Sequence, residues 1–351
     1  MRRTRLPIAI LLLLTLSPGQ NSDTRAGRPD TLAIQRQASS RLAPPDYQAD
    51  FTPVVANGSH AVSWNHGHLV SFSIGEIKEP VTSWDKTGKW LFEDRLSFEN
   101  AVRTYIQDGV ATSWGTAVIA ASVLNSDGAS ADLIVEIGKE GIRRVIRTSP
   151  FYPIKVCATQ EGIVWAYGKE LTADRSAEPR AQYPMLREYS LEKGELRAAL
   201  DRSTVRPPSG VPVSGSREEL QLRCNSHKLV LLSGPTKELI EYDLAASELS
   251  RWPLASLPDG VDVTRVTGAA LTDSGEVYIS TYDAPNLKAL TRILEIHLNS
   301  TGTADWIPIA AIPSQGKWFV LLGSDGDHLV YSRGRGSPTL FWSKPEREVA
   351  K

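Results

Sequence analysis

Leu133, Leu186, Leu239 and Ile293 stand 53, 53 and 54 residues apart, each opening a short segment of the same texture. Those segments are Leu133-Ile134-Val135-Glu136-Ile137, Leu186-Arg187-Glu188-Tyr189-Ser190-Leu191, Leu239-Ile240-Glu241-Tyr242-Asp243-Leu244 and Ile293-Leu294-Glu295-Ile296-His297-Leu298. A unit of this length that returns at a fixed interval implies one supersecondary unit used several times, each copy burying its faces against its neighbours. Pro80-Val81-Thr82-Ser83-Trp84-Asp85 is a looser fifth copy.

Ahead of each copy lies a nearly continuous apolar run, and there are six of them. They are His68 to Phe72, Ala117 to Ala120, Gly162 to Ala166, Lys228 to Leu232, Glu276 to Ile279 and His328 to Tyr331. Short, β-branched or aromatic runs of this kind suit strands covered on both faces. A first strand precedes each: Val62-Ser63-Trp64 and Thr112-Ser113-Trp114 read as near copies, and Val156-Cys157-Ala158 and Leu222-Arg223-Cys224 hold the same place in the next two units. Gly88, Gly141, Gly194 and Gly302 fall in the turn after the third strand, where a positive φ is often needed. A fourth, more polar strand such as Ile142-Arg143-Arg144-Val145-Ile146 completes the unit. The pattern predicts an all-β chain: a six-bladed β-propeller of four-stranded antiparallel blades over residues 55–351.

The last unit runs out after three strands, at Trp318-Phe319-Val320, Leu329-Val330-Tyr331 and Thr339-Leu340-Phe341-Trp342. A ring of this kind protects its edge by borrowing a strand from the other terminus. Thr31-Leu32-Ala33-Ile34-Gln35 alternates correctly and is the expected closing strand, inside an otherwise flexible leader over residues 20–54. Residues 1–19 read as a signal peptide. Arg2, Arg3 and Arg5 precede the short apolar stretch Ile8 to Leu16, and Ser17, Pro18 and Gly19 follow. That stretch falls short of the roughly 20 residues a transmembrane helix needs. The expected address is therefore secreted or periplasmic, with no transmembrane span after signal removal.

The 39 basic and 40 acidic residues nearly cancel, so no long-range field recruits nucleic acid or anionic lipid. Cys157 and Cys224 fit no zinc or redox spacing. Their comparable positions on adjacent blades allow a disulfide between them, and two separate buried thiols is the plainer reading.

The segment Gly268-Ala269-Ala270-Leu271-Thr272-Asp273-Ser274-Gly275-Glu276-Val277-Tyr278-Ile279 resembles the strand–turn–strand signature of NHL-type and gluconolactonase-type six-bladed propellers. The resemblance covers one blade and implies the fold. Gluconolactonase-type enzymes place an Asp directly before that glycine as a metal ligand, where this chain has Thr267, and Asn225 lies outside the family's motif. Ser83-Trp84-Asp85-Lys86-Thr87-Gly88-Lys89-Trp90 is similar to the Asp-box of sialidases with its glycine one residue late. It is expected to be a hairpin turn, with Trp90 packed between blades. His66 and His68 share one face of an extended strand but lie at a glycine-bearing turn, and are expected to be solvated.

No catalytic residue, metal ligand or cofactor follows from these motifs. The departures are two long connections, about Tyr167 to Met185 and about Asp201 to Glu219, which open on one face. They carry Arg175, Arg180, Tyr183, Arg206 and Arg217, the expected ligand-binding residues. The expected function is a binding or protein-interaction module of the cell envelope, with a protein or glycan partner. Its rival is a metal-dependent hydrolase or lactonase with its site in the central channel.

Overall fold

The computed structural model describes residues 40–51, 60–171, 185–200, 220–233, 238–254, 266–282, 290–298, 302–313, 319–333 and 339–347. The described residues form 27 strands and no helix. In chain order β1 (Ser40–Leu42) and β2 (Tyr47–Asp50) come first and belong to different sheets. The first blade holds β3 (His60–Asn65), β4 (His68–Ser73), β6 (Val81–Asp85) and β7 (Trp90–Asp94), interrupted by the two-residue β5 (Gly75–Glu76). Blade 2 holds β8 (Ala101–Ala111), β9 (Ala117–Asn125), β10 (Ser130–Gly138) and β11 (Gly141–Arg147), and β5 adds to the free side of β8. Blade 3 is β12 (Phe151–Ala158), β13 (Ile163–Glu170), β14 (Met185–Ser190) and β15 (Gly194–Leu200). Blade 4 is β16 (Leu220–Cys224), β17 (Lys228–Ser233), β18 (Glu238–Asp243) and β19 (Glu248–Pro253). Blade 5 is β20 (Val266–Leu271), β21 (Val277–Tyr282), β22 (Leu290–Leu298) and β23 (Ala304–Pro313). Blade 6 opens with β24 (Phe319–Asp325), β25 (His328–Arg333) and β26 (Thr339–Ser343), and β27 (Pro345–Arg347) ends the series.

The first strands meet one another in the cyclic order β3, β8, β12, β16, β20, β24 and back to β3, which makes the six sheets the blades of a propeller. All six apolar runs predicted as second strands occupy that position, in β4, β9, β13, β17, β21 and β25. The core is divided accordingly. Six clusters of buried side chains each join two consecutive blades, so every blade is glued on both faces and no single centre holds the fold.

The outer place in blade 6 is taken by β2, which pairs antiparallel with β26 from Tyr47↔Trp342 to Asp50↔Thr339. The N-terminal segment therefore supplies a strand to the last blade, but through residues 47–50. Thr31 to Gln35, the expected closing strand, lies outside the described residues. Pro44 and Pro45 separate β1 from β2, and Tyr47 to Phe51 then alternates polar and apolar side chains. Phe51 is fully buried at the joint between blades 6 and 1, with Trp64, Trp84 and Trp342 around it. The Trp64 and Trp342 rings meet edge to face at 5.0 Å, a geometry favoured by the aromatic quadrupoles.

Backbone approach tightens the same region. A Cβ on Gly323 would strike the carbonyl oxygen of Trp64, and one on Gly268 would strike that of Leu321, so adjacent first strands come together where side chains are absent. Gly88 combines a φ of +82° with contact against the Asp50 carbonyl, seating the β6–β7 turn on the borrowed strand. The sulfurs of Cys157 and Cys224 are bonded in the structure, with Cα atoms 5.9 Å apart, and tie β12 of blade 3 to β16 of blade 4.

Candidate functional site

The connections divide between two faces. First-to-second and third-to-fourth turns lie on one, while second-to-third and inter-blade connections open on the other. Arg175, Arg180, Tyr183, Arg206 and Arg217, the expected ligand-binding residues, lie outside the described residues. A cleft opens on the first face, between blades 2 and 3, with a volume of about 790 Å³.

That cleft is organised by one buried carboxylate. Glu136 sits in β10 amid apolar neighbours, with Val135 and Ile137 fully buried on either side. Its Oε1 accepts hydrogen bonds from the Trp114 indole Nε1–H and the Thr116 hydroxyl, both at 2.9 Å. Arg143 approaches Oε1 at 3.9 Å and Arg144 approaches Oε2 at 3.5 Å. Consecutive residues of a regular strand point to opposite faces. Here a β-bulge intervenes: Glu136 pairs with Arg144 and Ile137 with Ile142, leaving Arg143 without a register partner. The bulge brings both guanidinium groups to the same carboxylate.

Trp114 is 46% exposed and lies in the turn between β8 and β9, outside the first strand where its likeness to Trp64 placed it. Thr112 and Thr116 close that turn: the Thr112 N–H donates to the Thr116 carbonyl at 2.9 Å, and the Gly115 N–H donates to the Thr112 carbonyl. Gly115 has a φ of +84°. The same Thr-x-x-Gly closure recurs at Thr159–Gly162 and Thr272–Gly275. In blade 1 the chain instead turns immediately after Asn65, which leaves Trp64 inside the strand and buried. On the far side of the cleft Gly162, at φ +80°, lies against the six-membered ring of Trp114, and no Cβ fits between them. The indole is thus fixed at its nitrogen by blade 2 and at its ring edge by blade 3. Four carboxylates and three cationic side chains line the cleft around it.

The two histidines singled out by the sequence are half-buried and bonded, which corrects their expected solvation. The Asn65 side-chain amide donates to the carbonyls of Ala111 at 2.8 Å and Ala158 at 3.0 Å, and His66 Nε2 lies 3.0 Å from the same Ala158 oxygen. The turn after β3 therefore reaches past blade 2 to blade 3. His66 adopts a φ of 46° to do so. His68 Nδ1 contacts the His66 carbonyl at 2.9 Å. Burial is the largest influence on the His68 imidazole and lowers its pKa, outweighing the opposing pull of that hydrogen bond and of Asp85.

Trp90 corrects another expectation. It is 55% exposed on the outermost strand of blade 1, opposite the buried Trp84 at a bulge in the β6–β7 pairing. The Asp-box-like turn does behave as a turn stabiliser: Asp85 Oδ1 accepts from the Thr87 N–H, the Thr87 hydroxyl and the Lys89 N–H. Asn225 is committed to backbone, donating to the Thr272 carbonyl and accepting from the His227 and Lys228 N–H groups. Thr267 bonds the Ser280 hydroxyl at 2.8 Å.

Among the described residues no three His, Cys, Asp or Glu side chains converge as a metal site. The first strands do bring together Asp108, which accepts from the Val156 N–H at 3.0 Å, and Lys155, 3.6 Å from the same carboxylate. No helix among the described residues is long and apolar enough to cross a membrane.

No protein family matches the chain, and no curated protein does. Solved structures with a similar course of the chain include the luciferin-regenerating enzyme, at 9% identity and a TM-score of 0.48, covering 88% of this chain and 97% of that one. A protein of unknown function from Bacteroides caccae matches at 12% identity and a TM-score of 0.42, covering 78% and 94%. Hydrazine synthase from Kuenenia stuttgartiensis matches at 13% identity and a TM-score of 0.40, covering 83% and 95%. The six-bladed assignment rests on the strand order and ring closure described above.

Proposed function

We propose that the protein is an exported β-propeller that works as a binding module of the cell envelope and engages its partner in the cleft between blades 2 and 3. The observation that carries this reading is Glu136. Burying a carboxylate among β-branched neighbours is costly unless it is fully paired. Its partners here are an exposed tryptophan and two half-exposed arginines, so the buried charge organises groups that face outward. A large, prearranged aromatic surface with convergent polar groups is the ordinary make-up of a recognition site. Export is supported by the basic and apolar pattern of residues 1–19.

Two measurements test the reading. Cell fractionation of the full chain, with N-terminal sequencing of the mature product, should find it outside the cytoplasm with its first residues removed. Cross-linking to envelope material should give adducts with the wild type that are lost in Trp114→Ala. Identical adducts from both proteins would exclude the cleft as the contact surface.

A further inference from the structure

We propose that the cleft between blades 2 and 3 binds a neutral glycan, with one sugar ring seated on the Trp114 indole; this rests on the reading of that cleft as the binding site. The ligand class follows from what lines it. A protein anchor requires a desolvated apolar pocket at the centre of the contact. Here one half-exposed indole stands with Ile142, Ile163 and Leu191 among seven charged side chains, so the lining is mainly polar. A polyanion requires a field of one sign. Glu140, Glu161 and Glu192 stand around the same opening as Arg143, Arg144 and Lys193, so the two signs offset each other. Such a surface suits a ligand that is uncharged, wide and covered in hydroxyl groups. Each hydroxyl both donates and accepts, so it satisfies carboxylates and guanidinium groups alike. The axial C–H groups of a pyranose supply the flat, weakly polar face that packs on an aromatic ring.

The indole is also prearranged. Its N–H is held by Glu136 and its ring edge rests on Gly162, so little rotational freedom remains to be lost on binding. The volume of about 790 Å³ falls in the range of small-molecule sites and leaves room for more than one ring.

The test uses the purified full chain titrated with chitohexaose and cellohexaose as neutral probes and polygalacturonate as the acidic one, followed by calorimetry and tryptophan fluorescence. A neutral oligosaccharide should bind, polygalacturonate should bind more weakly, and Trp114→Ala should lose at least about tenfold in affinity. Arg144→Ser, at an exposed position and checked for its fold by circular dichroism, should weaken the same titration. Tighter binding of polygalacturonate, binding of the neutral probes undiminished in both variants, or no binding of any glycan overturns the proposal. If glycans fail while Trp114→Ala still abolishes envelope cross-linking, the ligand class is wrong and the cleft stands. If cross-linking also survives, the cleft reading falls with it.

Discussion

The indole N–H of Trp114 donates to the buried carboxylate of Glu136 at 2.9 Å, so an exposed ring takes its orientation from a charge inside the blade. Glu136→Ala removes the acceptor for Trp114 and Thr116 together and leaves two hydrogen-bonding groups short. The expected loss is about 1–3 kcal/mol in stability, measured by urea denaturation. Glu136→Gln keeps an acceptor for both and should lose less than half of that. Equal losses in the two variants would mean that the negative charge, rather than the acceptor, holds the site.

The borrowed strand makes a sharp division along the N-terminal segment. A chain starting at residue 44 loses β1 and its three-residue pairing with β27 but keeps Tyr47 to Phe51, and should melt well above a chain starting at residue 53. A chain starting at residue 53 loses β2 and Phe51, the side chain packed among Trp64, Trp84 and Trp342. Deleting a buried phenylalanine alone costs about 3–5 kcal/mol, and the exposed edge of β26 should add aggregation. Matched melting temperatures for the two truncations would remove ring closure by residues 47–50.

The bond between Cys157 and Cys224 closes a sequence separation of 67 residues. Cross-links of that span stabilise by about 4 kcal/mol, chiefly by restricting the unfolded chain. Protein purified without reductant and then denatured should show no free thiol with Ellman's reagent and two after reduction. Cys157→Ser with Cys224→Ser should lower the denaturation midpoint by a corresponding amount. Two free thiols in the unreduced protein would show a pair of separate cysteines instead.

Asp85 sets an acid limit on the first blade. Burial raises its carboxyl, but hydrogen bonds from the Thr87 hydroxyl and the Thr87 and Lys89 N–H groups, with the Lys89 charge, outweigh that and hold it below the usual carboxylate value. A depressed folded-state pKa contributes stability above the unfolded value of about 4, and that contribution is lost as pH falls through the folded value. The melting temperature should therefore decline less steeply below about pH 4 in Asp85→Asn than in the wild type. Parallel declines would assign the acid limb to other carboxylates.

The blades were legible because their signal is carried by covalent order. A continuous apolar run bounded by turns can be read one strand at a time, and the interval from Leu133 to Leu186 to Leu239 counts the copies. The turn glycines were legible for the same local reason: Gly88, Gly141, Gly194 and Gly302 all have positive φ. The cleft was not, because its parts join through register. Glu136 interrupts an apolar run and Arg143-Arg144 sits in the next strand, both visible in the sequence. Only the bulge between them turns both arginines to one carboxylate. Trp64 and Trp114 share the motif Ser-Trp and part company through a single turn, which starts after Asn65 in one blade and at Thr112 in the other. The fold resemblance of residues 268–279 likewise rested on a turn that blades 2 and 3 share as Thr-x-x-Gly without the aspartate.

The pairing of Tyr47 to Asp50 with Thr339 to Ser343 also sets a timetable. During synthesis the N-terminal partner emerges first and has nothing to pair with until nearly the whole chain has followed. Blade 6 cannot be completed until β26 arrives, and until then its rim and that of blade 1 are open to other strands. Thr339 to Trp342 are the latch that Tyr47 to Asp50 waits for.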